Sequence, residues 1–322
     1  MDRRRRRAGA LALAGAAVLT AAASAEIAQP LQALHWVAPD ADPVAVFASE
    51  PTECISAPEN AAHQQAIEVG RAAFRTPLLL GGQAARVGLT CESCHRGGRG
   101  NPDFLFPGAS GAPGTADVTL SLFSSHRGNG VHDPKPIPDL AGPRERLKVP
   151  PGELPRFIRG LIVEEFDGRE PPPAVLEGLA AYVRALKPAN CPIEPRAPIT
   201  AEGLLEDARR AVEAAARAFA AGDRPTAVLM IASARARLGL IDERYQGLSL
   251  PIGRLRAADA RLAALQQGVR EGRPDTAAAL NRWWARDSRR LESALATQQG
   301  RSLFNPDRLR AAANRRLPPK PT

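Results

Sequence analysis

The sequence predicts an all-α protein in two parts, a helical unit with long loops followed by an antiparallel four-helix bundle-like unit. Apolar residues recur at helical spacing in several stretches, and no stretch shows the alternation typical of a β-strand. A proline-rich linker at 191–199 separates the two parts, because clustered prolines interrupt a helix. The first unit then covers 55–190, the second covers 200–299, and a loose, basic tail covers 300–322.

The first 25 residues have the composition of a secretory signal. Five arginines precede an apolar run of 16 residues, and Ala23-Ser24-Ala25 fits the small-residue rule for cleavage. We expect cleavage before Glu26, which leaves 26–54 as an N-terminal extension. An uncleaved membrane anchor is the alternative, although the run is shorter than the roughly 20 residues that span a bilayer. The signal predicts export to the periplasm, where disulfides form.

Three helices are predicted in the first unit. The first covers 57–75 and begins with a capping box formed by Ser56 and Glu59. The second covers 153–166 and the third covers 173–187. In the second unit, helical periodicity stops three times at Gly- or Pro-containing stretches, which predicts four helices of about twenty residues.

The net charge of +9 is distributed unevenly. Residues 26–198 carry 16 Lys and Arg against 20 Asp and Glu, whereas residues 199–322 carry 22 against 13. A basic unit attracts acidic partners. Export and the lack of interleaved aromatic residues argue against nucleic acid. We expect the basic unit to bind an acidic protein, an anionic membrane surface or the acidic first unit itself. Many of its arginines are also explained simply as residues on the solvent-exposed faces of helices.

Residues 91–95, Cys-Glu-Ser-Cys-His, carry the most specific chemical signal in the chain. The C-x-x-C-H pattern is typical of covalent haem attachment. Two thiols about one helical turn apart each form a thioether with one haem vinyl group, and the adjacent imidazole binds the iron. The motif therefore predicts one haem c, attached to Cys91 and Cys94, with His95 as the proximal iron ligand.

Two other kinds of site share part of this pattern. A structural zinc site uses four ligands, and no second Cys or His pair stands at a suitable spacing. A redox dithiol of the thioredoxin type opens a helix that follows a strand, and no such strand is predicted here. Export also favours haem, because haem is attached covalently outside the cytoplasm.

Residues 67–95 resemble the start of a haem domain in bacterial cytochromes c, especially in the di-haem cytochrome c peroxidase and MauG family. A Gly-Arg-x-x-Phe helix end at 70–74 precedes the motif, as in that family. The stretch 135–143 resembles the Pro-x-Leu stretch after the family's distal loop, and 178–188 is similar to the last helix of cytochrome c domains. The resemblance covers about 55–188 and implies a cytochrome c-like fold. The family carries two haem motifs and this chain one, so peroxidase activity is supported less than the fold.

The same resemblance pairs the two remaining cysteines. The terminal helices of cytochromes c pack on one another, and Cys54 lies just before the first helix while Cys191 lies just after the last. In an oxidising compartment these two thiols are expected to form a structural disulfide.

The second axial ligand of the iron separates the candidate functions, because two strong ligands favour electron transfer and an open position binds peroxide or a gas. After signal removal the only methionine is Met230, in the second unit, where a core position explains it. His126 is the first distal candidate, since it lies ahead of the Pro-Asp-Leu stretch at 138–140, which is where the resemblance places a distal histidine. His132, in a polar loop, is the second. An open iron or another ligand is the remaining alternative, and His63 and His35 are expected to be surface or packing residues.

Weaker candidates surround the motif. Arg96, Arg99 and Arg127 are candidates for holding the haem propionates or steering a partner, although solvated loop arginines look the same in a sequence. Glu164 and Glu165 are paired carboxylates and candidate acid–base groups for peroxide cleavage. A solvated helix end is the simpler interpretation of this pair.

These expectations combine into one function with two alternatives. The sequence predicts a periplasmic mono-haem c-type cytochrome that exchanges electrons with a redox protein, with the basic helical unit as a docking or oligomerising module. The alternatives are a peroxidase-like haem enzyme with an external electron donor and a haem-based ligand sensor or binding protein.

Overall fold

Helices dominate the structure, a computed structural model that describes residue 31 and residues 36–120, 122–126, 128–143 and 149–314. Helix accounts for 60% of the described residues and strand for 5%, so the all-α fold class is confirmed. The predicted signal peptide lies outside the described residues. Within them, none of the helices combines the length and the apolar character needed to cross a bilayer.

The helices that precede the proline-rich linker are short, apart from two. In the described residues they are α1 (Pro43–Phe47), α2 (Ala61–Phe74), α3 (Gly82–Arg86), α4 (Cys91–Cys94), α5 (Leu154–Gly160) and α6 (Pro173–Ala185). A π-turn at Leu161–Glu165 continues α5. The predicted helices at 57–75, 153–166 and 173–187 correspond to α2, to α5 with its π-turn, and to α6.

The beginning of α2 differs from its prediction. The N-cap is Asn60, whose side chain accepts a hydrogen bond from the backbone N–H of His63 at 2.9 Å. The hydroxyl of Ser56 donates instead to the carbonyl of Ala185 at 3.0 Å. The predicted capping box of Ser56 and Glu59 is wrong, because Asn60 caps a helix as well as Ser does and stands directly before it.

Helices α2 and α6 cross where each carries a glycine. A Cβ on Gly70 would lie 1.9 Å from the carbonyl oxygen of Gly178, so the two backbones approach too closely for any side chain. One turn further along, the rings of Phe74 and Tyr182 pack with their centroids 5.2 Å apart, and both are buried. This crossing holds the first long helix against the last helix before the linker.

Four long helical segments and a short terminal helix follow the linker. They are α7 (Ala201–Ala220), α8 (Arg224–Arg244), α9 (Ser249–Glu271), α10 (Thr276–Arg282) joined by a π-turn at Trp283–Asp287 to α11 (Ser288–Ala296), and α12 (Pro306–Asn314). Helix α7 packs on α8 and on the α10–α11 segment, while α9 packs on α8 and α11. The core position expected for Met230 is confirmed, since its side chain is fully buried.

Single residues set the ends of these helices. The side chains of Thr200 and Asp223 accept the backbone N–H groups of Gly203 and Thr226, which caps α7 and α8. Gly272 ends α9 in the left-handed conformation, at φ +71°. Local chemistry therefore explains where α7 and α8 begin and where α9 ends.

The two parts of the chain share one apolar core. Buried side chains of α2, α6, α7 and α8 belong to a single continuous cluster, and α2 packs on both α7 and α8. Within the linker, β4 (Arg196–Pro198) pairs antiparallel with β1 (Ser49–Pro51). A second pair joins β2 (Thr115–Ala116) to β3 (Lys135–Pro136) in the long loops. The linker is thus tied to the N-terminal extension.

The chain after residue 300 differs from the loose tail that the sequence predicts, because α12 is packed. Leu309 is 1% exposed and lies in a small cluster with Leu31, Val46 and Phe47. The C-terminal helix therefore covers the N-terminal extension. Residues 315–322 lie outside the described residues.

Replacing Gly70 with alanine is expected to lower the free energy of unfolding by about 1–3 kcal/mol, because the added methyl group forces α2 away from α6. Urea unfolding followed by circular dichroism measures this. Gly253→Ala in α9 is the matched control, since nothing lies within 4 Å of the added Cβ. Its higher helix propensity is expected to raise stability by about 0.5–1 kcal/mol. Equal stability of the two variants would contradict the tight crossing.

Candidate functional site

The C-x-x-C-H motif forms α4, a single helical turn with a complete cap. The hydroxyl of Thr90 accepts the backbone N–H of Ser93 at 3.2 Å, and the hydroxyl of Ser93 accepts the N–H of Thr90 at 3.0 Å. Residues three apart on a helix project from the same face. The cap therefore holds Cys91 and Cys94 side by side.

Both thiols are partly buried. Burial raises the pKa of Cys91 and of Cys94 to about 12. Both side chains keep some accessible surface, and neither forms a disulfide. A redox dithiol depends on a thiol whose pKa is lowered. The surroundings of Cys91 and Cys94 raise the pKa of both thiols instead, which argues against the redox alternative.

His95 directly follows α4, and its ring is oriented by a backbone carbonyl. The Nδ1 atom lies 3.1 Å from the carbonyl oxygen of Pro138. Because a carbonyl only accepts, Nδ1 carries the proton and Nε2 keeps its lone pair. Burial lowers the pKa of His95 to about 4, against smaller opposing effects of the Pro138 carbonyl and Asp139. A neutral imidazole fixed through Nδ1 is the form that binds a metal.

Two glycines after the motif let the backbone pass close to its neighbours. Gly97 and Gly98 have φ values of +60° and +71°, in the left-handed region. A Cβ on Gly97 would lie 2.3 Å from the carbonyl oxygen of Pro51, and one on Gly98 would lie 2.5 Å from Leu186. The motif is thereby packed between β1 and the end of α6.

A disulfide and an ion pair hold the loop that carries the Pro138 carbonyl. The sulfurs of Cys54 and Cys191 are 2.08 Å apart. Arg99 lies beside this bond, with Nη1 3.3 Å from the Cys54 sulfur. The same guanidinium donates to both carboxylate oxygens of Asp139 at 2.7–2.8 Å. Because Asp139 follows Pro138 in the chain, this clamp fixes the partner of the imidazole.

Of the three arginines predicted near the haem, the structure describes two, Arg96 and Arg99, and these have different partners. Arg99 is paired with Asp139. Arg96 is half-buried, with its guanidinium carbon 5.8 Å from the centroid of the Phe47 ring, and it lines a cavity of about 370 Å³. Arg127 lies outside the described residues. Contact with haem propionates stays a prediction for all three.

His126 lies at the surface and is bound by a carboxylate. Its side chain is 66% exposed, and its Nδ1 is 3.0 Å from Oδ1 of Asp167. Asp167 also accepts the backbone N–H and the hydroxyl of Ser125, both at 2.9 Å. A carboxylate on Nδ1 orients an imidazole for binding a metal through Nε2. This arrangement suits a ligand, and the distal role of His126 stays a prediction.

The other histidines have separate surroundings. His132 is exposed in its loop. His63 lies on α2, where its Nδ1 accepts the backbone N–H of Glu59 at 3.2 Å. His35 lies outside the described residues.

Glu164 and Glu165 are the last two residues of the π-turn after α5. Glu165 is 6% exposed, so the solvated helix end expected for this pair is wrong at that residue. The carbonyl of Glu164 accepts the hydroxyl of Ser124 at 2.5 Å. The π-turn is therefore joined to the loop that carries His126, and an acid–base role for the pair stays a prediction.

A buried ion network lies behind α4, and sequence reasoning missed it. Arg75, 3% exposed, is within 2.9 Å of carboxylate oxygens of Glu53 and Glu92 and within 3.3 Å of one of Asp207. Arg71 also binds Glu53, at 2.8 Å, and Asp207. These carboxylates come from the N-terminal extension, from α4 and from α7. The only signal in the sequence is the four-residue spacing of the two arginines, which puts both on one face of α2.

Two further groups complete the network. The hydroxyl of Tyr182 donates to Glu53 at 2.6 Å. Arg237 of α8 donates to the backbone carbonyl of Arg75 at 2.5 Å and lies 3.5 Å from a carboxylate oxygen of Glu92. Burial alone would raise the pKa of Glu53, but attraction to Arg75 and Arg71 outweighs it and lowers that pKa to about 2.

Among the described residues, no three His, Cys, Asp or Glu side chains gather as they would around an ion held by protein ligands alone. A haem iron takes four ligands from the porphyrin and needs no such cluster. Comparisons of the chain with protein-family models, with curated proteins and with solved structures found no match. The resemblance to cytochromes c rests on the sequence motif and the stretches around it alone, and it stays a prediction.

Acid is expected to destabilise the protein between about pH 4.5 and pH 2. The pKa of Glu53 is about 2 in the folded protein and near its ordinary value of 4.5 in an unfolded chain. The unfolded state therefore takes up a proton first as the pH falls. The stabilisation from this group is complete above the unfolded pKa and is lost as the pH falls through the folded pKa. Urea midpoints measured from pH 7 to pH 2 follow this loss.

Glu53→Gln is the test variant. It is expected to be about 3 kcal/mol less stable at pH 7, because two buried arginines lose a charged partner, and to respond less to acid. Glu153→Gln is the control, since the pair of Glu153 and Arg156 is 53% and 79% exposed. Its stability is expected to change by less than about 1 kcal/mol. If Glu53→Gln keeps the acid response of the unaltered protein, the interpretation is wrong.

Proposed function

We propose that this protein is a mono-haem c-type cytochrome that transfers electrons. The observation that carries the proposal is the geometry of α4 and the residue after it. Two unbonded thiols share one face of a capped turn, and the next residue is a neutral imidazole with Nδ1 engaged. The residues present fit a covalently attached haem, because they supply two thioether donors and one nitrogen ligand.

Each residue of the motif has a defined task in this proposal. Cys91 and Cys94 hold the cofactor covalently, so that it does not dissociate. His95 offers Nε2 to the iron, while the carbonyl of Pro138 keeps the ring in place and makes Nε2 a better donor. When bound, the haem supplies an iron that alternates between ferric and ferrous states. The protein's contribution is to hold the ligand still through that change.

The residues around the motif support a rigid site. Glu92 stands between the two cysteines in sequence and is bound by Arg75 from α2. The ion pair of Arg99 and Asp139 fixes the loop that carries the Pro138 carbonyl, and it lies next to the Cys54–Cys191 disulfide. Because supporting contacts of this kind orient metal ligands, they favour one fixed geometry in both oxidation states.

The crossing of α2 and α6 supports a cytochrome c-like domain over 55–190. Gly70 and Phe74 belong to the Gly-Arg-x-x-Phe stretch, and Tyr182 belongs to the stretch that resembles the last cytochrome c helix. The two stretches that carry the resemblance are therefore in contact through Phe74 and Tyr182, 5.2 Å apart. Packing of the terminal helices is what the resemblance implies.

The partner and the location belong to the same proposal. The signal at 1–25 supports export to the periplasm, and the disulfide is compatible with an oxidising compartment. The four helical segments over 200–299 suit a four-helix bundle-like unit. Its basic surface would dock a redox protein, with an acidic face favoured by charge.

A peroxidase-like haem enzyme with an external electron donor is the second candidate. Peroxide cleavage needs an acid–base group beside the iron. The observation that favours this candidate is the bond from Ser124 to the carbonyl of Glu164, which joins buried Glu165 to the loop of His126.

Protein matured in a host that attaches haem to exported cytochromes is expected to gain the mass of one haem, still present after denaturation. Mass spectrometry of the intact, denatured chain measures this. The double variant Cys91→Ala and Cys94→Ala is expected to carry none, because no thioether forms. Cys54→Ala with Cys191→Ala is the control and is expected to keep the haem. A mature chain that weighs no more than its amino acids would overturn the proposal.

The ferric protein is expected to show the absorption spectrum of six-coordinate, low-spin iron, as an electron carrier does. His126→Ala is expected to convert it to high spin, because the distal nitrogen is lost. His63→Ala is the control and is expected to leave the spectrum unchanged. An unchanged spectrum in His126→Ala would dismiss His126 as the ligand. A rapid shift of the Soret band on adding peroxide would favour the peroxidase-like candidate.

A further inference from the structure

A cavity of about 370 Å³ lies between α4, the N-terminal extension and α8. Its volume is at the lower end of the range of small-molecule sites, with room for about a dozen water molecules. The cysteines and the histidine of the C-x-x-C-H motif do not line it. The side of α4 that borders it carries Glu92, Ser93 and Arg96. The cavity is therefore separate from the face that carries the two thiols.

One wall of the cavity is apolar. It consists of side chains from the N-terminal extension, the linker, α7 and α8: Leu31, Trp36, Phe47, Ile199, Leu204 and Leu240. Water is held poorly against such a wall, because each molecule needs two to four polar partners. A ligand with an apolar body would fill this half of the cavity better than water does.

The rest of the lining contains charged side chains, with an excess of positive groups. Among the described lining residues are four arginines and three glutamates, Arg75, Arg96, Arg237, Arg244, Glu50, Glu92 and Glu243. Arginines stay protonated in proteins. The excess of positive charge in the lining therefore favours an anionic ligand.

Arg96 and Arg244 are the two arginines of the lining that have no carboxylate of a described residue within ion-pair distance. Arg96 contacts the face of Phe47, and no described residue gives it a hydrogen bond or an ion pair. Arg244 is 6% exposed and donates only to backbone carbonyls, of Phe47 at 2.8 Å and of Leu303 at 3.4 Å. The buried guanidinium group of Arg244 is costly without a carboxylate, and an anion between it and the half-buried Arg96 would lower that cost.

Glu50 does not supply the missing charge. Its carboxylate is not within ion-pair distance of any described cation. Burial and the neighbouring charge of Glu92 raise the pKa of Glu50, which favours its neutral form. Of the other acids, Glu92 is already bound to Arg75.

We propose that this cavity binds a small organic anion, a molecule with one carboxylate and an apolar body. The carboxylate faces Arg96 and Arg244, and the body lies against the apolar wall. The site uses neither the two cysteines nor the histidine that would attach and ligate the haem. It does use Arg96, so this proposal assigns Arg96 to the anion in place of a haem propionate.

Isothermal titration calorimetry on the mature, haem-loaded chain tests the proposal with cinnamate and octanoate as probes. Their neutral counterparts, cinnamamide and octanamide, have nearly the same shape without the charge. At least one carboxylate is expected to bind, and its amide is expected to bind at least about 10-fold more weakly. If neither carboxylate binds at millimolar concentration, or if the amides bind equally well, the proposal is overturned and the cavity holds water alone.

Two variants locate the binding site. Arg96→Gln removes one of the two positive charges that would face the carboxylate. It is expected to weaken carboxylate binding by about 30-fold or more. Leu240→Trp fills the cavity from α8 and is expected to abolish binding, which keeps the test valid if Arg96→Gln fails to fold. Arg86→Gln and Leu250→Trp, at exposed positions outside the cavity, are the matched controls and are expected to bind as the unaltered chain does. Unchanged binding in the two cavity variants would overturn the proposal.

Discussion

A guanidinium group that is 3% exposed cannot shed its charge, so the fold has to bring carboxylates to Arg75. They come from three directions, Glu53 before α2, Glu92 in α4 and Asp207 in α7. These residues are up to 154 positions apart in the chain. One buried cation thus determines how the N-terminal extension, the cysteine-bearing turn and the second half of the chain sit together.

The same network gives the cysteine-bearing turn its orientation. Helix α4 is only four residues long and would not be stable alone. Thr90 caps its beginning, Glu92 binds it to Arg75, and the carbonyl of Pro138 holds the imidazole that follows. A short turn held at its start, middle and end can present two thiols and a nitrogen in one fixed arrangement. The chemistry proposed for the site depends on that rigidity.

Local patterns in the sequence were enough to predict the long helices and the buried position of Met230, because each depends on spacing within a short stretch. Contacts between distant stretches were not predictable in this way. The carbonyl of Pro138 and the carboxylate of Asp207 leave no local sign of their partners. The packing of α12 was also missed, since a charged, proline-ended stretch looks solvated unless the surface that receives Leu309 is known.

The continuous core also has a consequence for how the chain can be divided. Residues up to 190 include the C-x-x-C-H motif and look like a complete small domain in the sequence. Cut at the linker, however, that fragment would lose Asp207 and leave Arg71 and Arg75 with fewer anions, beside an apolar face of α2 that α7 and α8 now cover. The helical half therefore contributes contacts to the scaffold around the motif, and a fragment that ends at 190 would lack them.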